Sequence, residues 1–379
     1  MIRILFFIPG LSEGGAEKVM RSLVNHMDQE QFEITVQTID QYDPSQFLAK
    51  GIRYKAINRC KTRWGRKLFS YWFRLCAELN LAYRFFVKDD YDIEVAYLET
   101  AATKVIAQST NKDAVKIAWV HCDLSKKEGI QEARDKIRSQ YEKFDRIVCV
   151  SEDVRAGFHK VFGPEFDTTA MKNVIDDAEI LEKSKEPIEW NGRTGVVQLM
   201  AVGRLSPEKG YLHLIRSCEK LKNNNARFHL TILGEGPERE RLMRYIDESG
   251  LKEHVTLQGA VANPYSWMKR ADVIICSSQY EGLSTVVQEA IILGKPVITT
   301  PCGGMKDLLG ESEYGMIVES DEDGLYRGLY KIINCEDLRL AYAGKAQARR
   351  SVFSKSAVIN STQGLFVSLL HQKCEGRKT

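Results

Sequence analysis

The sequence lacks the features that would place the protein across a membrane or on nucleic acid. No run of about 18 apolar residues occurs, which is the length that a membrane-spanning helix needs. The formal net charge of the 379 residues is only +3, so the composition does not indicate general nucleic-acid binding. The apolar residues 2–8 are too few for a signal peptide. We therefore expect a cytoplasmic protein.

Cysteine is present but is never clustered. No two of the nine cysteines lie within four positions of each other, which does not match the spacing of zinc ligands. Their scatter and odd number also speak against a disulfide framework and fit a reducing compartment. Cys149 and Cys276 lie inside apolar runs, so we expect them to pack in the core as small apolar side chains.

Two common phosphate-binding motifs are also missing. The apolar residues 2–8 end in a glycine-rich turn, after which apolar residues recur at helical spacing. Gly14 and Gly15 would let the backbone approach a ligand closely, and the helix start would offer N–H groups to an anion. However, the turn lacks the spacing of the dinucleotide fingerprint, and Ala16 stands where a Walker A loop has lysine. A tight turn with a purely structural role is an equally good interpretation.

The main feature that is present is an alternation of short apolar runs with helical patterns. It predicts an α/β protein with doubly wound parallel sheets. The length exceeds what one core normally supports, and the charged stretch after Asp176 lacks strand character, which is typical of a link. We therefore predict one domain over residues 1–180, a second over 190–353, and a final helix over 354–379 that packs back on the first. The predicted strands are 2–8, 33–39, 93–98, 115–120, 146–150, 196–202, 228–233, 255–258, 271–276 and 296–299.

The stretch 277–290 brings two carboxylates close to the start of a helix. It follows a predicted strand, and Ser284 or Thr285 can cap the helix. Glu281 then lies in the loop, and Glu289 lies one turn into the helix. This arrangement suits a polyhydroxylated, anionic ligand. A capping loop followed by a helix with a solvated glutamate is the alternative.

Basic and polar residues follow other predicted strands. Arg204 and Lys209 lie five residues apart in one loop, and two such cations suit a diphosphate, although an ion pair at the surface would also explain them. His121 comes directly after the strand 115–120. The carboxyl ends of parallel strands border the ligand crevice of such sheets, so His121 is either a ligand-contacting or a structural residue.

Taken together, these motifs resemble the retaining glycosyltransferases of family 4, of the kind that builds bacterial cell-surface polysaccharides and glycolipids. The resemblance covers essentially the whole chain. It implies the GT-B fold, in which two Rossmann-like doubly wound domains face each other across a cleft. The first domain would bind the acceptor and the second the nucleotide sugar. The motifs that carry it are Gly14-Gly15-Ala16, residues 203–210, the pair Glu281 and Glu289 at the spacing E-x7-E, residues 294–297 and the turn Gly303-Gly304.

The same resemblance implies a role for each candidate residue. Arg204 and Lys209 would bind the donor's diphosphate. Glu281 would hold hydroxyls of the transferred sugar, and Glu289 would hold the ribose. The remaining contacts would be Gly15 to the diphosphate, His121 to the sugar, Val261 to the base, and the backbone of Gly282, Leu283 and Ser284 to the sugar and phosphate.

The implied reaction moves a hexose or N-acetylhexosamine with retention and requires no metal or other cofactor. UDP is the expected carrier and GDP the second choice, and the acceptor would be a glycan or a lipid-linked sugar. The leaving phosphate would help to deprotonate the acceptor, so Glu281 would not act as a nucleophile. A nucleotide-sugar epimerase of the same architecture, or a binding protein without turnover, are the alternatives.

The segment 53–88 is strongly basic and rich in aromatic residues. It contains ten Lys or Arg residues and one acidic residue, Glu78, which gives a local charge of +9. Apolar residues at spacings of three and four predict a helix with this face in the core: Leu68, Trp72, Leu75, Leu79, Ala82 and Phe86. The remaining aromatic and basic residues would contact an anionic membrane surface or form a solvated basic face. The resemblance favours peripheral attachment to the inner face of the cell membrane.

Overall fold

The computed structural model describes residues 1–11, 14–60, 62–127, 129–190 and 192–375. The chain forms two compact units. The first unit contains Met1–Val174 together with the described residues from Ser356 onward, and the second contains Ile175–Lys355. Each unit is built on one parallel sheet flanked by helices. This is the α/β architecture with two doubly wound sheets that the sequence predicts.

In the first unit the described residues form a seven-stranded sheet in the order β3-β2-β1-β4-β5-β6-β7. The strand order reverses beside β1, which pairs in parallel with both β2 and β4. β1 is buried on both faces because helices cover both sides of the sheet. The strands are β1 (Ile2–Phe7), β2 (Phe32–Asp40), β3 (Arg53–Asn58), β4 (Ile93–Ala96), β5 (Val115–Val120), β6 (Arg146–Cys149) and β7 (Thr168–Ala170). The helices between them are α1 (Gly15–His26), α2 (Arg63–Glu78), α3 (Ala82–Phe86), α4 (Ala101–Ile106), α5 (Arg134–Tyr141) and α6 (Glu152–Phe162).

In the second unit the described residues form a six-stranded sheet in the order β10-β9-β8-β11-β12-β13. Here the order reverses between β8 and β11, which pair in parallel, so the loops that follow these two strands are neighbours. The strands are β8 (Val197–Val202), β9 (Phe228–Leu233), β10 (Val255–Gly259), β11 (Val273–Cys276), β12 (Val297–Thr299) and β13 (Met316–Ile317). The helices are α7 (Asp177–Lys183), α8 (Tyr211–Asn223), α9 (Arg239–Glu248), α10 (Pro264–Arg270), α11 (Thr285–Ile292), α12 (Met305–Leu309), α13 (Glu322–Asn334) and α14 (Glu336–Arg349).

The last helix, α15 (Lys355–Glu375), packs on the first unit. Phe366 is fully buried, and its ring centroid lies 6.2 Å from that of Phe6 in β1. Near the end of the helix, the Lys373 ammonium lies 2.9 Å from a carboxylate oxygen of Asp145. Burial of an aromatic side chain and this ion pair together attach the helix to the sheet. Most of the basic tail, residues 376–379, lies outside the described residues.

All the strands predicted from apolar runs are present, and Cys149 and Cys276 are buried as expected. The structure adds three strands that the sequence analysis missed, namely β3, β7 and β13. Each of these lies at the edge of its sheet. Edge strands are only half covered, so they lack the continuous apolar run that identifies a central strand.

Two local predictions were wrong. The charged segment interpreted as a link is helical: α7 lies in the second unit, and the Asp176 carboxylate caps it by accepting the Glu179 N–H at 3.1 Å. In α2 the predicted core face is exposed, since Leu68 and Leu75 are 73% and 56% accessible. The buried residues of this helix are Phe73, Cys76 and Ala77, which lie on its opposite side.

Candidate functional site

The loop between β11 and α11 lies at the carboxyl end of the second sheet, beside its reversal of strand order. Ser284 caps α11, because its side-chain oxygen accepts the Val287 N–H at 3.4 Å. The residues Gly282 and Leu283 precede this cap and lead the backbone into the helix start. The positive end of the helix dipole therefore lies at the end of the loop that carries Glu281.

Glu281 and Lys209 form an ion pair that joins two loops. The Lys209 ammonium lies 2.6 Å from Oε1 of Glu281, and the Ser278 hydroxyl donates to the same oxygen at 2.7 Å. Both charged side chains are less than a quarter exposed. Burial alone would lower the pKa of Lys209, but the attraction of the Glu281 carboxylate outweighs it and raises the pKa. Lys209 is therefore a firmly protonated cation.

Backbone contacts hold these two loops together. The Ser277 hydroxyl donates to the Lys209 carbonyl at 2.8 Å, and the Gln279 N–H donates to the Glu208 carbonyl at 2.8 Å. Gly210 has φ +65°, and a Cβ atom there would lie 2.2 Å from the Ser277 carbonyl oxygen. Only glycine permits this close approach, so Gly210 fixes the position of Lys209 against the Glu281 loop.

A second glycine turn supports the Glu281 loop from β12. A Cβ atom on Gly303 would lie 2.4 Å from the Glu281 carbonyl oxygen, and Gly304 adopts φ +75°. In the same turn, the Thr300 hydroxyl donates to the Ser278 carbonyl. The turn Gly303-Gly304 that the sequence analysis singled out thus packs directly on the backbone of the candidate site.

Arg204 lies in the same loop as Lys209 but in a different environment. Its side chain is exposed, and it forms no ion pair with any residue in the described part of the chain. The loop around it is anchored to the neighbouring loop, since the Leu205 N–H donates to the Glu235 carbonyl at 2.9 Å. The guanidinium is therefore a solvated cation on a fixed backbone, available for an anionic ligand.

Glu289 lies on α11 and is only 3% exposed. The Tyr265 hydroxyl lies 3.4 Å from its Oε1 atom. The next residue toward the N-terminus, Gln288, is fully buried, and its side-chain oxygen has no hydrogen-bond partner among the described residues. Tyr265 is a neighbour of Glu289 that no sequence pattern predicted. Val261 is half-buried in the loop after β10, two residues before Asn263, which caps α10.

His121 directly follows β5 in the first unit. Its ring lies 5.0 Å from that of Tyr97, and the Tyr97 carbonyl accepts a hydrogen bond from the ring. Burial lowers the pKa of His121 and outweighs the opposing attraction of Glu99, so the imidazole is neutral. Its Nε2 atom is buried and has no partner within the described residues. The side chain therefore presents an unused acceptor.

Glu99 was missed by the sequence analysis, although it follows β4 in the way that His121 follows β5. It is 7% exposed and accepts the backbone N–H groups of His121 and Cys122, the latter at 2.9 Å. The next residue, Thr100, has φ +73° and ψ −103°, a strained conformation for a β-branched residue. Glu99 thus fixes the backbone that carries His121.

Gly15 is the first residue of α1 and lies in the first unit. Gly14 precedes it at the N-cap position. Because glycine has no side chain that could accept a backbone N–H, Gly14 does not cap the first N–H groups of α1. Ser12 and Glu13 of the glycine-rich turn lie outside the described residues. The structure therefore divides the candidate residues between the units, with Gly15 and His121 in the first and the others in the second.

Solved structures with the same fold are numerous. Anabaena Alr3699/HepE in complex with UDP and glucose has a TM-score of 0.75 and 19% identity over 97% of this chain and all of that chain. Sucrose-phosphate synthase from Thermosynechococcus elongatus has a TM-score of 0.80 and 18% identity over 98% of this chain and all of that chain. With two units of parallel α/β topology, these similarities define a Rossmann-like GT-B fold.

The sequence of the second half of the chain identifies the family. Residues 162–349, about half of the chain, match the model of the glycosyl transferases group 1. The chain belongs to this family of glycosyltransferases.

Two bacterial relatives are similar over part of their length. One is the N-acetylgalactosamine-N,N'-diacetylbacillosaminyl-diphospho-undecaprenol 4-alpha-N-acetylgalactosaminyltransferase of Campylobacter jejuni, 34% identical over 49% of each protein. The other is the lipopolysaccharide core biosynthesis glycosyltransferase LpsD of Rhizobium meliloti, 26% identical over 60% of this chain. The matched region spans 49% of the first relative and 64% of the second.

Proposed function

We propose that the protein is a retaining glycosyltransferase that acts in the synthesis of cell-surface polysaccharide. It would move a hexose or N-acetylhexosamine from a nucleotide diphosphate sugar to a glycan or a lipid-linked sugar. The observation that carries the proposal is the Glu281–Lys209–Ser278 cluster at the start of α11. Support for the acceptor class comes from the names of the Campylobacter and Rhizobium relatives.

The donor's diphosphate would meet the positive charge of the second unit. Arg204 is exposed and without an ion pair among the described residues, so it can turn toward the ligand at little cost. Lys209 is protonated, and the start of α11 offers backbone N–H groups and the positive end of the helix dipole to an anion. Together they would stabilise the charge that builds up on the departing diphosphate, which is the largest kind of catalytic effect.

Glu281 would hold the sugar through hydrogen bonds. One of its oxygens already accepts from Lys209 and Ser278, which leaves the other to accept from hydroxyls of the transferred sugar. A carboxylate held by an ammonium and a hydroxyl is a poor nucleophile. We therefore favour a same-face displacement in which the leaving phosphate oxygen takes the acceptor's proton, without a metal ion.

Other residues of the second unit would make further contacts with the donor. Glu289 and Tyr265 would bind the ribose, and the backbone near Val261 the base. Within the first unit, the neutral ring of His121 offers an acceptor at Nε2 to a sugar hydroxyl, and the helix start at Gly15 offers backbone N–H groups to a phosphate. UDP is the carrier that we propose, with GDP as the second choice, and the Anabaena structure with UDP supports this order.

A thermal-shift screen with UDP-, GDP- and ADP-glucose tests the donor proposal. We expect the UDP-sugar to raise the Tm, because a ligand at about 100 times its Kd stabilises the folded state by about 2.7 kcal/mol. Glu289→Ala should abolish the shift, and Glu319→Gln, an exposed glutamate far along the chain, should not. The proposal would be contradicted if none of the three nucleotide sugars raised the Tm, or if Glu289→Ala still showed the shift.

Turnover is tested with a labelled donor and a lipid-linked acceptor fraction. Glu281→Gln should lower kcat/KM by about 10–100-fold, because it replaces the charged acceptor of the sugar hydroxyls by a neutral one, and a hydrogen bond to a charged group contributes about 1.5–3 kcal/mol. An epimer formed from the donor alone would identify an epimerase instead. If the donor binds but no acceptor yields a product, the protein would be a nucleotide-sugar-binding protein without turnover.

The acceptor proposal also concerns location. A lipid-linked sugar is held at a membrane, so the enzyme would act on the cytoplasmic side and attach peripherally to the inner face of the cell membrane. None of the helices within the described ranges is long and apolar enough to cross a bilayer. Peripheral attachment would use a surface of the folded protein.

A further inference from the structure

We propose that the exposed apolar side of α2 is a membrane-docking face that lies in the headgroup region of an anionic bilayer. This docking face consists of six side chains that are between 46% and 82% exposed, namely Trp64, Leu68, Tyr71, Trp72, Leu75 and Leu79. They recur at spacings of three, four and one, so they form a single stripe along the helix. So many large apolar side chains on one exposed helix mark an interaction surface.

The docking face is distinct from the side of α2 that packs in the core. At 3.6 residues per turn, its six positions fall within an arc of about 100°. The buried residues Phe73, Cys76 and Ala77 fall on the opposite side of the helix. Because α2 is already anchored by these residues, rotation cannot bury the docking face without exposing the core side.

Aromatic side chains of α3 pack against the docking face. The ring of Trp72 lies 5.0 Å from that of Phe86 and 6.1 Å from that of Phe85, so α2 and α3 are joined at this point. Phe85 is itself 45% exposed and extends the apolar surface onto α3. The surface is therefore a preformed feature of the first unit, which reduces the entropy cost of docking.

The charges beside the docking face are positive. Arg63, Lys67 and Arg74 are exposed on α2, within the segment of net charge +9. The one acidic residue of the segment, Glu78, pairs with Lys104 and Lys136, which together hold its pKa at about 2. Lys61, another of the basic residues, lies outside the described residues. Basic residues next to an amphipathic helix are attracted to anionic lipid headgroups.

The positive charge beside the docking face favours an anionic bilayer over a second copy of the chain as its partner. Two docking faces in a dimer would bring two segments of like charge together, whereas an anionic lipid surface is complementary to them. The 16 residues of α2 would lie flat on the membrane. The inference rests on the proposed function in one respect: the lipid-linked acceptor explains why the protein would be at a membrane. The docking itself requires no turnover.

Flotation with vesicles of equimolar phosphatidylcholine and phosphatidylglycerol tests the docking face in the full chain. We expect binding to these vesicles and at least about tenfold weaker binding to phosphatidylcholine alone, because several basic residues contribute. The variant Trp64→Ser/Leu68→Ser/Leu75→Ser should lose binding about tenfold or more. Leu340→Ser, which alters an exposed leucine of the second unit, should not change it.

Charge and insertion are measured separately. Arg63→Glu/Lys67→Glu/Arg74→Glu should also abolish binding, and added salt should weaken it in the wild type. Lipids brominated in the acyl chain should quench tryptophan fluorescence less in Trp64→Phe than in the wild type. UDP-sugar stabilisation in the absence of vesicles should be the same in all variants, so a failure here is distinguishable from a failure of the proposed function.

Two results would overturn the inference. One is vesicle binding that is absent in the wild type or unchanged in both triple variants. The other is a wild-type dimer that the Trp64→Ser/Leu68→Ser/Leu75→Ser variant converts to a monomer while vesicles remain unbound, which would make the face a subunit interface. Sedimentation equilibrium of the wild type and this variant measures the second possibility.

Discussion

At the scale of single residues, the sequence predicts which residues belong to the candidate site more readily than it predicts which of them contact each other. The sequence identifies Glu281 and Lys209 as candidates because each follows an apolar strand in a polar loop. It does not predict that they form an ion pair across 72 positions of sequence. That pairing depends on β8 and β11 being neighbours, which is a property of the strand order. Glu99 was missed for the same reason, because its partners follow the adjacent strand β5.

His121 gives a prediction for pH. Burial keeps its pKa below the ordinary value of 6.5, so the folded protein binds fewer protons than the unfolded chain when the pH falls below about 6.5. The free energy of unfolding should therefore fall as the pH decreases from about 7 to about 5. His121→Gln, which cannot titrate, should make this decrease smaller. Hydrogen exchange of the β4 and β5 amides measures it in the first unit.

The exposed residue His26 provides the matched control for this experiment. It lies on α1 in the same unit, and its side chain is accessible to water. His26→Gln removes an exposed imidazole of the same unit, so a change in the pH dependence that is seen in His121→Gln and not in His26→Gln is the part due to burial of the His121 ring. If His121→Gln left the pH dependence unchanged, the ring would be solvated rather than buried, and its proposed role as a neutral acceptor would fail.

Among the loops and helices, Gly210 should be the most sensitive glycine of the site. Alanine at φ +65° costs about 1–2 kcal/mol, and its Cβ atom would also meet the Ser277 carbonyl oxygen. Gly210→Ala should therefore lower the free energy of unfolding by about 2–4 kcal/mol. It should also weaken UDP-sugar binding, because the Lys209 loop must move away from the Glu281 loop. Urea denaturation and the thermal-shift assay measure the two effects.

Gly344 is a suitable control because it lies inside α14, where an added Cβ atom would meet no described atom within 4 Å beyond its own stretch of helix backbone. Gly344→Ala should be neutral or stabilise the protein by up to about 1 kcal/mol, since alanine is the better helix former. Equal effects of the two substitutions would mean that the loops do not depend on the close approach at Gly210.

The helix α2 shows what periodicity can and cannot predict. Its apolar residues form two stripes, and the sequence analysis assigned the stripe with Leu68 and Leu75 to the core. The structure buries the stripe with Phe73 and Cys76 instead. Periodicity indicates that a helix is amphipathic, but it does not indicate which stripe meets the sheet when both are apolar. The position of the helix against α3 decides this, and that is a tertiary property.

For the protein as a whole, the sequence predicts both doubly wound sheets because their central strands are continuous apolar runs. The edge strands β3, β7 and β13 are short and partly exposed, and no local pattern identifies them. The chain path is also only partly local, since α15 follows the second unit in sequence but packs on the first. A contact between residues as distant as Phe6 and Phe366 cannot be read from either segment alone.

This chain path predicts which unit responds to a substitution in α15. Phe366 is fully buried against β1, so Phe366→Ala should cost about 3–5 kcal/mol of stability in the first unit, through lost burial and the cavity that remains. Leu329→Ala, at a fully buried position of α13, should cost about 2–5 kcal/mol in the second unit. Hydrogen exchange of the intact chain measures both, with β1 and β5 reporting the first unit and β8 and β9 the second. Because the candidate donor contacts of the second unit do not include α15, UDP-sugar should still protect the second unit in Phe366→Ala. Equal loss of protection in both units after Phe366→Ala would mean that the two sheets unfold as one cooperative body, and that α15 stabilises more than the sheet on which it packs.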